Sequence, residues 1–139
     1  MMNKVTYLCG GINALSDDEC NNWRTIAKNK LDTGTLDPMR RDYRGKEDES
    51  FKEIVRGDLQ DVASCNYVIV NATRPGWGTA MEIVYAKQAK KFIVAFTEGA
   101  RISPWLREHC NIICTTIDEA ILEINKKAEH DYTLSRYSD

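Results

Sequence analysis

The chain has 139 residues, 42% of them apolar, one domain's worth of sequence and enough to bury a core without disulfides or a metal. Nineteen Lys and Arg against 21 Asp and Glu leave a net charge of −2, which argues against a surface built to hold nucleic-acid phosphates. Aromatic residues among β-branched runs exclude a disordered chain, and no apolar stretch nears the ~18 residues of a membrane span.

The start, MMNKVTYLCGG, lacks the long apolar region of a signal peptide and reads as a first strand over Lys4–Gly10. Ser16-Asp17-Asp18-Glu19 has the form of a capping box. It opens an amphipathic helix carrying Trp23, Ile26, Ala27 and Leu31. A short strand at Thr35-Leu36 stops at Asp37-Pro38, and the charged stretch Met39–Ser50 is predicted to be an exposed loop. Phe51–Ala63 is a helix with Ile54, Val55, Leu59 and Val62 on its apolar stripe. Tyr67–Val70 is a strand covered on both faces. After the loop Ala72–Gly78 comes a helix over Thr79–Lys90, a strand over Lys91–Phe96, a short helix over Ser103–His109, a strand over Asn111–Thr115 and a closing helix over Ile117–Glu129. The tail, 130–139, has no period and is expected to be extended or to lie at a subunit interface.

Strands alternating with helices predict an α/β fold, a doubly wound, flavodoxin-like parallel sheet of five strands in the order 2-1-3-4-5, forming a single domain over 1–139. In such a sheet the ligand crevice lies at the carboxyl ends of strands 1 and 3, where the strand order reverses. The predicted walls are Gly10 to Asn13 and Asn71 to Gly78. The five cysteines, odd in number and irregularly spaced, indicate free thiols in a reducing cytoplasm. His109, Cys110 and Cys114 fall short of a zinc pattern, so no metal is expected and the cysteines read as small buried hydrophobes.

At the crevice, Glu82 stands one turn into the helix opening at Gly78-Thr79, where the helix dipole and free amides would keep it ionised. An ionised, sheltered carboxylate suits attack on a sugar carbon. Thr79-Ala80-Met81-Glu82 is equally a T-x-x-E capping box, and most such glutamates only cap helices. Asp58 falls beside the stripe of Val55, Leu59 and Val62 and could serve as a general acid, with a solvated pair to Arg56 or Lys52 as the plainer reading. Gly10-Gly11 is either a phosphate-cradling turn or simply a tight one. Arg24, Arg40 and Arg41 are candidates to hold a phosphate or to face solvent, Tyr7 reads most simply as core, and Trp77 either stacks on a base or plugs the core.

Taken together, Tyr7–Ile12 (YLCGGI), Trp23-Arg24, Asp37–Arg40 (DPMR), Ile54–Leu59 (IVRGDL), Tyr67–Ala72 (YVIVNA) and Gly78–Ile83 (GTAMEI) resemble the nucleoside 2-deoxyribosyltransferase family. That family includes nucleoside 5′-monophosphate N-glycosidases, and the match favours its small phage or bacterial members. The resemblance spans residues 4–124. It implies an enzyme that cleaves the N-glycosidic bond of a nucleoside or its monophosphate through a glycosyl-glutamate, with transfer to another base or to water and without a cofactor. Glu82 then matches the nucleophile, Asp58 the residue that protonates or orients the departing base, and Tyr7 the tyrosine that positions the nucleophile. Gly10, Gly11 and Ile12 match the turn against the sugar or its phosphate, Arg40 and Asp42 the loop at the base edge, Asn71 a polar strand end, and Gly78 and Met81 the frame beside the glutamate. Where the family often has Asp or Ser six residues before the glutamate, this chain has Gly76. The family's shared sites imply a homo-oligomer in which Ser103 or Arg101 of a neighbour completes the pocket. The implied partner is a small nucleoside or nucleotide, with no nucleic-acid polymer and no membrane. Two other readings stay open: a nucleotide sensor without turnover, and cleavage of NAD at its nicotinamide–ribose bond.

Overall fold

A computed structural model describes residues 3–137. The chain alternates strand and helix: β1 (Val5–Cys9), α1 (Asp17–Lys30), β2 (Gly34–Leu36), α2 (Phe51–Ser64), β3 (Tyr67–Asn71), α3 (Trp77–Gln88), β4 (Phe92–Phe96), α4 (Pro104–His109), β5 (Ile112–Cys114) and α5 (Ile117–Tyr137). The five strands form one sheet in the order β2-β1-β3-β4-β5, every pair parallel, as the alternation predicts. Parallel strands need crossovers, and helices on both faces supply them.

The period of two along each strand divides the core. Leu8, Ile69, Val94 and Phe96 pack on one face with Trp23 and Ala27 of α1 and Ile121 and Ile124 of α5. Tyr7, Cys9, Val68 and Val70 pack on the other with Val62 of α2 and Ile83 and Ala86 of α3. Thus alternate residues of β1, Tyr7 and Cys9, turn toward the face that α2 and α3 cover.

Several local expectations need correction. The buried stripe of α1 is Cys20, Trp23, Arg24 and Ala27, while Ile26 is exposed; the capping box of Ser16 and Glu19 is present. Val55 is exposed on α2 because the helix turns Asp61 and Val62 inward. The tail is not aperiodic: α5 runs on to Tyr137, held by a hydrogen bond from the Tyr67 hydroxyl to Asp131 at 2.7 Å and by the Lys127–Asp131 pair at 3.0 Å. Ser138 and Asp139, the last of that tail, lie outside the described residues.

The charged stretch after β2 is also more than a solvated loop. The Asp37 carboxylate accepts from the Met39 N–H at 2.9 Å and starts a single 3₁₀ turn, Pro38–Arg40. Lys28, at 2.5 Å, and the buried Arg24, at 3.6 Å, hold Asp37 in place. From this turn the chain folds back over the carboxyl ends of the strands, and its charges pair with the body of the protein: Arg40 and Arg41 with α2, and Arg44 with Asp42 and Asp17.

Candidate active site

A cavity of about 630 Å³ opens where the strand order reverses, the size of a small-ligand site. The loops after β1 and β3 form its sides, the folded-back charged segment supplies Arg41, Tyr43 and Arg44, and Tyr7, Asp58 and Glu82 lie at its inner end.

Glu82 reaches this place through the register of α3. The helix begins at Trp77, two residues before the predicted start, with Gly76 as an N-cap that has no side chain to give. Thr79 is therefore already inside the first turn, and the expected Thr79–Glu82 capping box does not form. Instead Glu82 belongs to the buried stripe of the helix with Ile83 and Ala86 and is only 8% exposed. Its carboxyl is held against β1. The Tyr7 hydroxyl donates to Oε2 at 2.5 Å, and the Cys9 thiol lies 3.5 Å from Oε1. The alternation that carries Tyr7 and Cys9 to one face of β1 thus delivers two donors to one carboxylate.

Burial dominates the electrostatics. It raises the Glu82 carboxyl to about 7, helped by the negative charge of Asp58 and opposed by the Tyr7 and Cys9 hydrogen bonds. The expectation that the helix dipole keeps Glu82 ionised is corrected here, because desolvation outweighs it. Asp58 is raised by its own burial, with Arg41 pulling the other way. Two neighbouring carboxyls of this kind titrate as a pair, each held above its ordinary range. Burial, and then the charge of Glu82, push the Tyr7 phenol and the Cys9 thiol far up, so both stay protonated and act as donors.

Of the other residues singled out, Gly10, Gly11, Ile12, Asn71, Trp77 and Gly78 line the cavity. A Cβ on Gly10 would meet Trp23 at 2.7 Å and Asn71 at 3.2 Å, so a glycine is required here for close packing of the strand end. Asn71 Oδ1 accepts from the Thr73 N–H and hydroxyl at 3.1 and 2.7 Å and shapes the loop. Trp77 is 85% exposed and stands at the rim rather than in the core.

Four residues lie elsewhere. Arg40 is turned away onto Asp61, which it grips at 3.0 and 2.6 Å. Asp42 is occupied by Arg44, whose hydrogen bonds hold its carboxyl at about 2. Met81 points outward from α3, and Ser103 caps α4 and borders a neighbouring cavity of about 950 Å³. Arg24 is also unavailable to a ligand: it is buried, with its N–H groups on the carbonyls of Cys20 and Gly10 at 2.7 and 3.0 Å.

Sequence reasoning missed the specific parts of Arg41 and Cys9. Cys9 stands two residues after Tyr7, which places it on the same face of a strand, and that spacing was the available signal. Arg41 gives no such sign, since its partners Asp58 and Asp61 lie 17 and 20 residues away. Among the described residues no three His, Cys, Asp or Glu side chains are placed to hold a metal ion, and no helix is long and apolar enough to cross a membrane.

No family model and no curated protein matches the sequence. Solved structures do. A CMP N-glycosidase from Clostridium botulinum aligns with a TM-score of 0.56 at 15% identity, over 88% of this chain and 99% of that one. A 2-deoxyribosyltransferase from Bacillus psychrosaccharolyticus aligns with a TM-score of 0.65 at 13% identity, over 83% of this chain and 88% of that one. The chain has their fold. Both structures carry the activities of the family that the sequence motifs resemble.

Proposed function

We propose that the protein cleaves the N-glycosidic bond of a nucleoside or nucleoside 5′-monophosphate. Glu82 attacks C1′ from one side of the sugar while Asp58 protonates or orients the departing base. The glycosyl-Glu82 ester then passes to a second base or to water. The observation that carries this reading is the buried Glu82 carboxyl, fixed between Tyr7 and Cys9 and lying with Asp58 at the inner end of a ligand-sized cavity. The two fold neighbours are a CMP N-glycosidase and a 2-deoxyribosyltransferase, and the motif resemblance points the same way.

The proton count suits the reaction. Attack requires Glu82 ionised, and loss of a poor leaving group requires a proton on Asp58, whose carboxyl burial raises above its ordinary range. Each step balances: the C1′–N bond breaks as the C1′–O bond to Glu82 forms, the base leaves with the proton of Asp58, and the incoming base or water returns a proton to Asp58 as the ester opens.

We further read the protein as a homo-oligomer. Trp77, Met81, Tyr85 and Trp105 are more than half exposed on neighbouring parts of α3 and α4, an aromatic and Met-rich patch of the kind found at interfaces. Ser103 and Arg101 border the cavity beside Trp77, where a neighbouring copy could use them. Sedimentation of the wild type and of Trp105→Glu checks this, with a lower mass expected for the variant.

The deciding experiment incubates the enzyme with a panel of deoxynucleosides, ribonucleosides and their monophosphates, with and without free base, and reads released or exchanged base by chromatography. Glu82→Ala retaining more than about a tenth of the rate would defeat the reading, because loss of a covalent nucleophile removes far more than tenfold.

A further inference from the structure

We propose that Arg41 is a positioning residue which, seated in a notch left by Gly57, holds the Asp58 carboxyl in place beside Glu82. The proposal rests on reading Glu82 and Asp58 as the reacting pair. It starts from a glycine for which α2 itself has no use. Gly57 lies in the middle of that helix, where glycine is a poor helix former. A Cβ at this position would stand 2.6 Å from Arg41 Nε, 3.0 Å from Cζ and 3.1 Å from Nη2. The guanidinium therefore packs against the helix backbone in space that only glycine leaves open.

From that seat Nη2 donates to Asp58 Oδ1 at 3.2 Å and to Asp61 Oδ2 at 2.8 Å. Asp61, which Arg40 also binds at both oxygens, takes the shorter of the two contacts, so Arg41 is shared between Asp61 and Asp58. The approach is fixed from behind as well: the Arg41 N–H donates to the Pro38 carbonyl at 3.0 Å, closing the turn that Asp37 starts. Helix, turn and ion pairs together fix one cation against α2, where it bridges Asp61 to Asp58, the member of the reacting pair on that helix.

The groups facing the pair come from several elements. Asp61 lies on α2 beside Asp58, Tyr7 and Cys9 come from β1, and Arg24 from α1 acts on Glu82 from behind the sheet end. Arg44, Glu47, Asp18, Glu19 and Arg74 line the outer cavity. Among the described residues Arg41 is the cation that hydrogen-bonds to a member of the pair. Taking a cation away from coupled carboxyls raises both of their titration steps. It also leaves Asp58 free to rotate away from the leaving base.

Three variants separate these effects. Gly57→Ala keeps every charged group and puts a methyl where the guanidinium lies, Arg41→Gln removes the charge, and Arg41→Lys restores it without the planar fork. In each, the Asp58 and Glu82 carboxyls are titrated by ¹³C NMR and kcat/KM is followed against pH on the substrate found active. For Gly57→Ala and Arg41→Gln, both carboxyl titrations and both limbs of the pH profile are expected to move up by roughly one unit or more. A fall in kcat of roughly ten-fold or more accompanies the shift, with KM little changed. Arg41→Lys should return the limbs toward wild type but only part of kcat. Gly57→Ala added to Arg41→Gln should do no further harm.

Carboxyl titrations and pH limbs superimposable on the wild type in folded Arg41→Gln would overturn the proposal, whether or not Gly57→Ala folds. Shifted carboxyls in a protein that turns over no nucleoside or nucleotide would instead sink the proposed function and leave the part assigned to Arg41 intact. Turnover with unshifted carboxyls does the reverse.

Discussion

A glutamate at the third position after a threonine is usually a helix cap, and Glu82 departs from this because its helix starts early. With Gly76 at the N-cap, Glu82 shares the inward stripe of Ile83 and Ala86, and burial compels it to find donors. Tyr7 and Cys9 supply them. On the proposed function, Glu82→Gln keeps the shape and loses the nucleophile, so turnover should fall by about a thousand-fold or more in single-turnover assays. Tyr7→Phe removes a donor that favours the ionised form of Glu82. The carboxyl should therefore rise further, and the acid limb of kcat/KM should move to higher pH. A limb that stays in place or moves down would contradict the assigned hydrogen bond.

At the scale of elements, the site depends on how closely the ends of β1 and β3 approach. Gly10 permits it, since a side chain there would run into Trp23 from α1 and Asn71 from β3. Overfilling a packed spot of this kind typically costs about 1–3 kcal/mol. Gly10→Ala should accordingly lower the melting temperature by several degrees in calorimetry, with activity reduced as the β1 turn is displaced. Gly57 is the opposite case: its notch is filled by the end of a flexible arginine, which can move aside. In Gly57→Ala the gain in helix propensity, up to about 1 kcal/mol, is set against the loss of the Arg41 contacts to Asp58 and Asp61, so the variant should melt within a few degrees of the wild type. The two alanine variants thus make a paired test, one glycine serving the fold and the other serving the site.

For the whole molecule, the buried pair sets how stability depends on pH. The Glu82 carboxyl titrates at about 7 in the native state against an ordinary 4.5, so the native state keeps a proton that the unfolded chain releases. Its stabilising contribution is complete below about pH 4.5 and is lost as the pH rises through about 7. A shift of this size corresponds to on the order of 3 kcal/mol. Asp61 acts in the other direction: its burial works upward, but the hydrogen bonds from Arg40 and Arg41 outweigh it and hold it down, so it stabilises at neutrality and fails in acid. Denaturant midpoints should accordingly peak in mildly acidic buffer and decline toward pH 8. Glu82→Gln should flatten the decline and exceed the wild type at pH 8. A wild type equally stable at pH 5 and pH 8 would show that burial does not raise the Glu82 carboxyl.

What the sequence determined by itself is whatever depends on neighbours along the chain. Alternating apolar runs and helical stripes specify five parallel strands and their crossovers, and the reversal of strand order then locates the crevice before any motif is considered. Repeats of two and of three to four residues also place Tyr7 with Cys9 on one face and Ala120 with Ile121 and Ile124 on another. Tertiary structure alone decided where the charges go. The stretch Met39–Ser50 looks solvated because its partners, Asp58, Asp61 and Asp17, are distant in sequence, and the length of α5 depends on a hydrogen bond from Tyr67 to Asp131 across the fold. The proton balance of Glu82 belongs to the same class, since desolvation is a property of everything packed around a group and no local spacing encodes it.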